Sequence, residues 1–327
     1  MDKTPGTKEL MFLVQLVYYG DLVIPSPSWV SYAPQARIIG RQIHWLRTRP
    51  ETGLGVEPEI LEELCRQDPN RPRLLILNSP SNPTGLCYSD EQLKALAEVL
   101  RKYRVLALSD EIYSGTHFKG SHRSLARYYP EGTIISNGLS KWCGAGGWRL
   151  GFFIFPHGLN WLADAVAAVA SETFTSTSAP IQYAAITAME DHPEMAVYLN
   201  QCRAILSTLS DYAYRTLSDT GAALHPSSGG FYLFPRFDIH RQQLACRGIK
   251  NSLSLCDRLL QEQGVALLPG ACFGRRKEEL ATRIAVVDFN GAHALEKAET
   301  ETIDEDFAHR NCGRVTTAVE RLVDWLK

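Results

Sequence analysis

The stretch from residue 133 to residue 155 reads TIISNGLSKWCGAGGWRLGFFIF and centres on one lysine, Lys141. Two short apolar runs, 133–135 and 151–155, stand on either side of a glycine-rich segment. Apolar runs of this length, bounded by turn residues, are typical of buried strands. The stretch therefore predicts a strand, a turn that carries the lysine, and a second strand.

The same kind of apolar run recurs closer to the amino terminus. Residues 21–25 (DLVIP), 73–77 (RLLIL) and 105–108 (VLAL) have the composition of buried strands. Residues 58–66 and 89–103 instead place their apolar side chains at helical spacing, and the sequence SDEQ favours a helix start at the second of these. Strands that alternate with helices predict an α/β fold with a mostly parallel central sheet and helices on both faces.

Beyond residue 205 the pattern changes to short strands among helices. Residues 231–234 and 282–287 are predicted as strands, and residues 252–263 and 315–326 as helices. We therefore expect a large domain over residues 1–205 and a smaller α+β domain over residues 206–327. The acidic stretch 299–306 is expected to be a solvated loop or an insertion.

Length and composition exclude several classes of protein. A chain of 327 residues suggests about two domains. With 34 Lys and Arg against 36 Asp and Glu, the net charge of −2 offers no basic field for nucleic acid or for an anionic membrane. A hydrophobic content of 45% and a charged content of 21% argue against a disordered or fibrous chain. A soluble enzyme or a large binding domain remains.

The eight cysteines and the apolar run 10–19 bear on the compartment. No two cysteines form a C-x-x-C pair, and no H-E-x-x-H motif occurs, so no metal site is predicted. Free thiols suit a reducing cytoplasm. The run 10–19 lacks a small-residue cleavage site after it, so we expect a buried helix rather than a secretory signal. No apolar run reaches the roughly 20 residues of a membrane span.

Polar side chains directly follow three of the predicted strands. Residues 78–85 (NSPSNPTG) follow the strand 73–77, residues 109–113 (SDEIY) follow 105–108, and residues 136–141 (SNGLSK) follow 133–135. Because ligands bind outside the carboxyl ends of the strands in open α/β sheets, these segments predict one crevice with an amide, a carboxylate, a phenol and a lysine.

Common phosphate-binding and hydrolase motifs do not fit this crevice. Arg149 stands where the last glycine of G-x-G-x-x-G belongs, and G-x-S-x-G lacks its second glycine at Trp142. Pyridoxal phosphate, in contrast, needs a lysine for its Schiff base and an acidic partner for its pyridinium nitrogen. Lys141 beside a glycine-rich turn and Asp110 from a neighbouring strand suit this cofactor.

Eight motifs along the chain resemble, in order and in spacing, those of fold-type I aminotransferases of class I/II, the aspartate aminotransferase-like family. They are TPGTKEL (4–10), PSPSWVSY (25–32), NSPSNPTG (78–85), SDEIYSG (109–115), NGLSKWCGAGGWRLGF (137–152), SGGFYLF (228–234), VALLPGACFG (265–274) and TRIA (282–285). The resemblance covers essentially the whole chain. It implies a pyridoxal 5'-phosphate enzyme, working as a cytoplasmic homodimer, that exchanges an amino group between an L-amino acid, aspartate-like or aromatic, and a 2-oxo acid by a ping-pong mechanism.

The resemblance also implies catalytic roles for three residues. Lys141 would form the internal aldimine and then move a proton as a general base. Asp110 would keep the pyridine nitrogen protonated, and Tyr113 would hydrogen-bond the phenolic oxygen of the cofactor together with Asn82. Trp29 would stack on the pyridine ring.

Further cofactor and substrate contacts follow from the same resemblance. Gly6, Thr7, Ser140 and Arg149 would bind the phosphate. At Gly138 the chain departs from the many family members that have a serine or threonine there, which removes one phosphate donor.

The substrate would be bound by four residues. Arg283 would hold the α-carboxylate as a planar fork, with Asn82 and Trp29 also at the substrate. Lys8 occupies a position at which some bacterial relatives bind a side-chain carboxylate, which favours dicarboxylic substrates.

The start of the chain leaves other functions open. Family members carry a substantial segment before the phosphate-binding glycine, whereas this chain begins almost at Gly6, so we expect part of the small domain to be missing. A β-lyase or a decarboxylase would use the same lysine and aspartate. A non-catalytic remnant that binds the cofactor is a third possibility, although a decayed site would be expected to have lost at least one of the residues Lys141, Asp110, Tyr113, Arg149 and Arg283.

Overall fold

The computed structural model describes residues 2–327, which divide into two compact units. Unit 1 comprises the chain up to Pro80 together with Cys87–Gly115 and His122–Met195, and unit 2 comprises Ser81–Leu86, Thr116–Ser121 and Ala196–Lys327. The assignment of residues 1–205 and 206–327 to two functional domains stays a prediction.

Unit 1 is built on a seven-stranded sheet. Its strands are β1 (Asp2–Thr4), β2 (Asp21–Ser26), β3 (Ile43–Arg47), β4 (Arg73–Asn78), β5 (Leu106–Asp110), β6 (Thr133–Gly138) and β7 (Gly151–Ile154). They lie in the order β1-β7-β6-β5-β4-β2-β3. The five strands from β6 to β3 pair in parallel, and β7 pairs antiparallel with both β6 and β1. The predicted α/β fold with a mostly parallel sheet is confirmed.

Helices cover both faces of this sheet. They are α1 (Thr7–Val17), α2 (Tyr32–Ile38), α3 (Pro58–Gln67), α4 (Asp90–Lys102), α5 (Asn160–Thr173) and α6 (Ala179–Met189). All six residues of β2 are buried, and its alternate side chains join different apolar clusters: Leu22 and Ile24 pack with α1, α2 and α5, whereas Val23 packs with α3 and α4. This two-sided burial is why the strand is apolar throughout.

Two predicted helices in unit 1 have the expected local features. The apolar run 10–19 lies mostly in α1, where Leu10, Leu13 and Val14 are buried, so the predicted buried helix is confirmed. The helix α4 begins with a capping box in which Ser89 and Gln92 exchange side-chain and backbone hydrogen bonds.

Unit 2 contains a small antiparallel sheet. Its strands β8 (Tyr232–Leu233), β9 (Leu268–Pro269) and β10 (Thr282–Ala285) lie in the order β8-β10-β9. The helices are α7 (Pro193–Ser218), which begins in unit 1, α8 (Arg241–Cys246), α9 (Ser252–Gln263), α10 (Gly291–Ala298), α11 (Glu305–Asn311) and α12 (Gly313–Leu326). Apolar side chains of α7, α9 and α12 form one core with the sheet. The predicted α+β character is confirmed.

The expectation of a loop throughout the acidic stretch 299–306 is wrong at its end. The side chain of Asp304 accepts a hydrogen bond of 2.9 Å from the backbone N–H of Phe307 and thereby caps α11, which begins at Glu305. Acidic residues are favoured at this position because the first turn of a helix presents unpaired N–H groups.

None of the helices within residues 2–327 combines the length and apolar character needed to cross a membrane. In the same range, no group of three or more His, Cys, Asp or Glu side chains could hold a metal ion.

Candidate active site

Asp110 ends β5 and lies buried at the carboxyl end of the parallel sheet. Its Oδ2 accepts a hydrogen bond of 2.6 Å from the hydroxyl of Tyr32, and its Oδ1 accepts one of 3.4 Å from Ser136, its neighbour in β6. Burial raises the pKa of Asp110 to about 6, against the opposing effect of these hydrogen bonds and of the backbone N–H of Ile112. A cation placed beside this carboxylate would favour its charged form.

The backbone at Asp110 is also fixed from the side of β4. The amide of Asn78 donates a hydrogen bond of 2.8 Å to the carbonyl oxygen of Asp110, and the backbone N–H of Ser79 donates one of 3.2 Å to the same oxygen. The carboxylate therefore projects from a strand end that is held on both sides.

Lys141 and Tyr113 come together beside the same strands. Lys141 lies in the turn that follows β6, and its Nζ is 5.7 Å from the ring centroid of Tyr113. Tyr113 lies three residues after Asp110 and is buried. The structure thus places an ammonium group beside an aromatic ring.

Two glycines allow β6, β7 and α1 to approach closely. Gly138 and Gly151 are paired in the sheet. A Cβ on Gly138 would lie 2.6 Å from the carbonyl oxygen of Leu150, and a Cβ on Gly151 would overlap the backbone nitrogen of Thr7. The position of Gly138 therefore has no room for a larger side chain such as serine or threonine.

Arg149 lies against the start of α1. Its guanidinium donates hydrogen bonds to the carbonyl oxygens of Pro5, at 3.0 Å, and Gly146, at 2.8 Å. Gly6, the N-cap of α1, has a φ of 97°, and a Cβ there would overlap Nη2 of Arg149. A helix N-terminus next to a guanidinium favours an anion, and Gly6, Thr7 and Arg149 are all at this place.

Ser140, the fourth residue predicted to bind phosphate, is half-buried in the turn before Lys141. Among the residues that the structure describes, its hydroxyl makes no contact that would assign it to the anion site, so its role stays a prediction.

Trp29 and Lys8 connect to Asp110 through Tyr32. The rings of Trp29 and Tyr32 pack edge to face with their centroids 5.3 Å apart, and Nζ of Lys8 lies 5.5 Å from the centroid of the Trp29 ring. Lys8, Trp29, Tyr32 and Asp110 thus form one series of contacts within unit 1.

Arg283 and Asn82 meet within unit 2, although 201 residues separate them. Nη1 of Arg283 donates a hydrogen bond of 3.2 Å to the side-chain oxygen of Asn82. The guanidinium stacks over the ring of Tyr232, at 4.5 Å, and lies 5.3 Å from the ring centroid of Phe273. Nε of Arg283 is buried and has no hydrogen-bond partner among the described residues. Stacking fixes the guanidinium plane and leaves N–H donors, Nε–H among them, for an incoming acceptor.

Sequence reasoning did not single out Tyr32, Asn78 or Ser136 as contacts of Asp110. Each lies in or next to a sequence feature that could have indicated it. Tyr32 ends the motif PSPSWVSY, Asn78 begins NSPSNPTG, and Ser136 directly follows a predicted strand. Only the strand register and the position of α2 bring their polar atoms to Asp110.

A mostly parallel sheet that carries a buried aspartate and a lysine at the ends of adjacent strands has the architecture of fold-type I transferases. The family model "Aminotransferase class I and II" matches residues 4–291. The chain belongs to this family.

Characterised proteins resemble the chain in sequence and in structure. It is 34% identical over 268 residues to an aspartate aminotransferase of Geobacillus stearothermophilus, which covers 81% of the chain and 65% of the relative. It is 32% identical over 285 residues to an aspartate/prephenate aminotransferase of Thermus thermophilus, covering 85% of the chain and 70% of the relative. Among solved structures, an aromatic aminotransferase from Pyrococcus horikoshii superposes with a TM-score of 0.80 at 26% identity, over 99% of the chain and 78% of that protein. The chain thus spans about two thirds of the length of the Geobacillus relative.

Proposed function

We propose that the protein is a pyridoxal-phosphate-dependent aminotransferase that exchanges an amino group between an L-amino acid, aspartate-like or aromatic, and a 2-oxo acid by a ping-pong mechanism. The observation that carries the proposal is the buried carboxylate of Asp110 at the end of β5, with Lys141 in the turn after the adjacent strand β6. The names of the aspartate, aspartate/prephenate and aromatic aminotransferase relatives support the same reaction.

The residues of unit 1 fit the chemical groups of pyridoxal phosphate. The cofactor has a pyridine nitrogen that pairs with a carboxylate, an aldehyde that reacts with an amine, and a phosphate dianion. Asp110 is a buried carboxylate, and among the described residues the groups that shift its pKa include no cationic side chain. Lys141 supplies the amine, and the N-terminus of α1 with Arg149 supplies a site for the phosphate.

Asp110 and Tyr32 would control the charge at the pyridine nitrogen. When bound, the cofactor supplies a conjugated ring that accepts the electron pair left when a bond to the substrate Cα breaks. The Asp110 carboxylate would hold a proton on that nitrogen, since a buried anion is stabilised by an adjacent cation. The hydroxyl of Tyr32 orients this carboxylate through a hydrogen bond of 2.6 Å.

Lys141 would do the proton chemistry of the reaction. Its Nζ would hold the cofactor covalently before the amino acid binds and would then accept the proton that leaves the substrate Cα. Tyr113, whose ring centroid lies 5.7 Å from this Nζ, would orient the lysine and hydrogen-bond the phenolic oxygen of the cofactor. Asn82 would share the second of these roles.

Arg283 would bind the α-carboxylate of the substrate. Its guanidinium is held in one plane by the ring of Tyr232 and by the hydrogen bond to Asn82, so two parallel N–H groups can face a carboxylate. Lys8, held over Trp29, would meet a second carboxylate, which favours an aspartate-like side chain. Trp29 offers a flat apolar surface to the pyridine ring and to an aromatic substrate.

We further propose that the enzyme acts as a cytoplasmic homodimer. The eight cysteines are all free thiols, as expected in a reducing compartment. The helix α6 has no charged residue, and its side chains Tyr183, Ile186 and Met189 are exposed. Exposed apolar patches of this kind are typical of protein interfaces.

Absorption spectroscopy tests the reaction. The purified protein with pyridoxal phosphate should have a visible absorption band, and adding aspartate or an aromatic amino acid should convert this band to that of the pyridoxamine form. Lys141→Ala should abolish the band and turnover while the far-ultraviolet circular dichroism stays unchanged. Lys94→Ala, which removes an exposed lysine of α4, is the matched control and should keep both.

The same experiment separates the alternatives. Absence of the band in the unmodified protein would refute the enzyme proposal. A band that no amino acid converts would identify a non-catalytic remnant that binds the cofactor. A band that bleaches with release of pyruvate or carbon dioxide would instead identify a β-lyase or a decarboxylase.

A further inference from the structure

A second buried carboxylate, that of Glu111, follows Asp110 directly and has no part in the proposed reaction. Its Oε1 accepts hydrogen bonds from the hydroxyls of Ser109, at 2.8 Å, and Ser124, at 2.5 Å. Its Oε2 lies 3.0 Å from Nε2 of His122. Because an ionised carboxylate only accepts hydrogen bonds, the histidine nitrogen is the donor. Three donors thus surround a side chain that is 5% exposed.

Asp110 and Glu111 lie on opposite sides of the same extended backbone. Successive side chains of a strand point to opposite faces, which places Ser109 and Glu111 on one side and Asp110 on the other. Between the two carboxylates, the backbone N–H of Glu111 donates a hydrogen bond of 2.9 Å to the carbonyl oxygen of Ser136. A rotation of the strand end that displaced one carboxylate would therefore displace the other.

The donors His122 and Ser124 belong to the segment where the chain returns to unit 1. Residues 116–121 are part of unit 2, and His122 is the first residue after them. The hydroxyl of Ser124 also accepts a hydrogen bond from the backbone N–H of Ala126 and so begins the short helical turn Leu125–Arg127. The side chain of His122 is 14% exposed. This segment is thus fastened to the strand end only one residue from Asp110.

Burying Glu111 at this place is costly unless its charge is paired. A buried carboxylate needs hydrogen bonds on both oxygens, and removing one donor leaves an uncompensated charge. The negative charge of Glu111 is also one of the causes that raise the pKa of Asp110.

We propose that Glu111, held by His122 and Ser124, is an anchor that fixes the orientation of the Asp110 carboxylate for its partner cation. All three are positioning residues, because they act through Asp110 and the strand end. The proposal rests on the proposed function in one respect, that the partner cation is the pyridinium group of pyridoxal phosphate.

The structure offers a matched control at the amino ends of the parallel strands, opposite the carboxyl ends at which Asp110 and Glu111 lie. Nε2 of His44 lies 3.0 Å from Oδ2 of Asp21, the first residue of β2. This contact has the same atom types and the same length as that between His122 and Glu111. It lies at the amino ends of the parallel strands, away from Asp110.

The first test measures the affinity for pyridoxal phosphate. His122→Ala should weaken binding by about tenfold, the scale typical of residues that orient a ligand-binding side chain. His122→Gln, whose amide can still donate to Glu111, should recover most of this loss. His44→Ala should lower the melting temperature without changing the affinity by more than about twofold. Equal weakening by His122→Ala and His44→Ala, or no weakening by His122→Ala, would overturn the proposal.

The second test needs no cofactor and separates this proposal from the proposed function. In cofactor-free protein labelled with carbon-13 aspartate, the carboxyl resonance of Asp110 is assigned by its loss in Asp110→Asn. Glu111→Gln keeps the size of the side chain and removes its charge, so the pKa of Asp110 should fall from about 6. His44→Ala should not move it. An unchanged Asp110 titration in Glu111→Gln would refute the anchor even if the protein binds pyridoxal phosphate.

Failure of the unmodified protein to bind the cofactor would refute the proposed function alone. The Asp110 titration would then decide the proposal by itself when it is also measured in His122→Ala, which keeps the charge of Glu111 and removes one of its donors. A changed Asp110 titration in this variant is expected if the anchor orients the strand end, and an unchanged one would overturn the anchor.

Discussion

Asp110 is a deeply buried ionisable side chain. Without a cation beside it, burial disfavours its charged form. Its pKa of about 6 lies above the ordinary value of 3.8, mainly because burial disfavours the charged form. The folded state therefore binds the Asp110 proton more tightly than the unfolded state does. Stability contributed by this proton is fully present below about pH 4 and is lost as the pH rises through about 6. A bound pyridinium would restore this stability, because it would stabilise the charged form of Asp110.

Asp110→Asn should therefore stabilise the cofactor-free protein at alkaline pH. A rise of the pKa from 3.8 to about 6 corresponds to about 3 kcal/mol. We expect urea unfolding at about pH 8 to give a free energy of unfolding higher by up to about 3 kcal/mol in the variant, and a much smaller difference at about pH 4.

The exposed residue Asp164 provides the control for this prediction, because Asp164→Asn should change stability little at either pH. The variant Asp110→Asn should at the same time bind pyridoxal phosphate more weakly. A loss of stability at alkaline pH would contradict the account of Asp110 as a site residue that opposes folding.

At the scale of elements, the site depends on how closely β6, β7 and α1 approach. The glycine pair Gly138 and Gly151 replaces side chains where β7 would otherwise be pushed away from β6 and from the start of α1. The same approach brings Arg149, just before β7, to the carbonyl oxygen of Pro5, just before α1. The geometry of the anion site therefore depends on the spacing between β6 and β7.

Gly138→Ser should disturb both the spacing between β6 and β7 and the geometry of the anion site. Its Cβ would lie 2.6 Å from the carbonyl oxygen of Leu150, which is backbone and cannot move aside by itself. Overpacking of this kind costs about 1–3 kcal/mol, which thermal or urea unfolding would measure. The affinity for inorganic phosphate should fall as well, as measured by calorimetry.

Gly158→Ser is the matched control for Gly138→Ser, because a Cβ on Gly158 meets no atom within 4 Å. It should change the free energy of unfolding by less than about 0.5 kcal/mol. If Gly138→Ser were as well tolerated, the close approach of β6 and β7 would not be a requirement of the site.

At the scale of the whole molecule, exposed apolar surface on unit 1 supports the proposed assembly. Tyr183 is 74% exposed and Ile186 is 53% exposed on α6, in which Ala185 is the buried residue of the helix. A helix without charges and with its apolar side chains in water is unfavourable for an isolated chain. A second copy of the chain would cover it.

Sedimentation velocity should therefore give a mass twice that of one chain. The double substitution Tyr183→Glu and Ile186→Glu should reduce the mass to that of a monomer, because it would bury uncompensated charges from both copies in the dimer. Ile239→Glu, at an equally exposed apolar residue of unit 2, should leave the dimer intact. A dimer that survives the double substitution would exclude α6 as the interface.

Sequence patterns alone predict the strands β2, β4–β8 and β10, the helices α1, α3, α4, α9 and α12, and the residues at the strand ends. Buried parallel strands must be apolar on both faces, so runs such as 73–77 and 133–135 are visible without any structure. Sequence patterns do not single out the strands β1, β3 and β9 or the helices α2, α5–α8, α10 and α11. The edge strand β3 is partly exposed and the helix α2 is short, so neither has a clear local periodicity.

The contacts of the site, in contrast, depend on how the elements pack. Tyr32 reaches Asp110 across 78 positions and Asn82 reaches Arg283 across 201. Local patterns report whether a residue is buried, whereas the partner of a buried polar atom depends on strand register, on helix placement and on the close approach that glycines permit. For the same reason, Glu111 and His122 are two unremarkable residues in the sequence and become a pair only once the chain returns to unit 1 beside the end of β5.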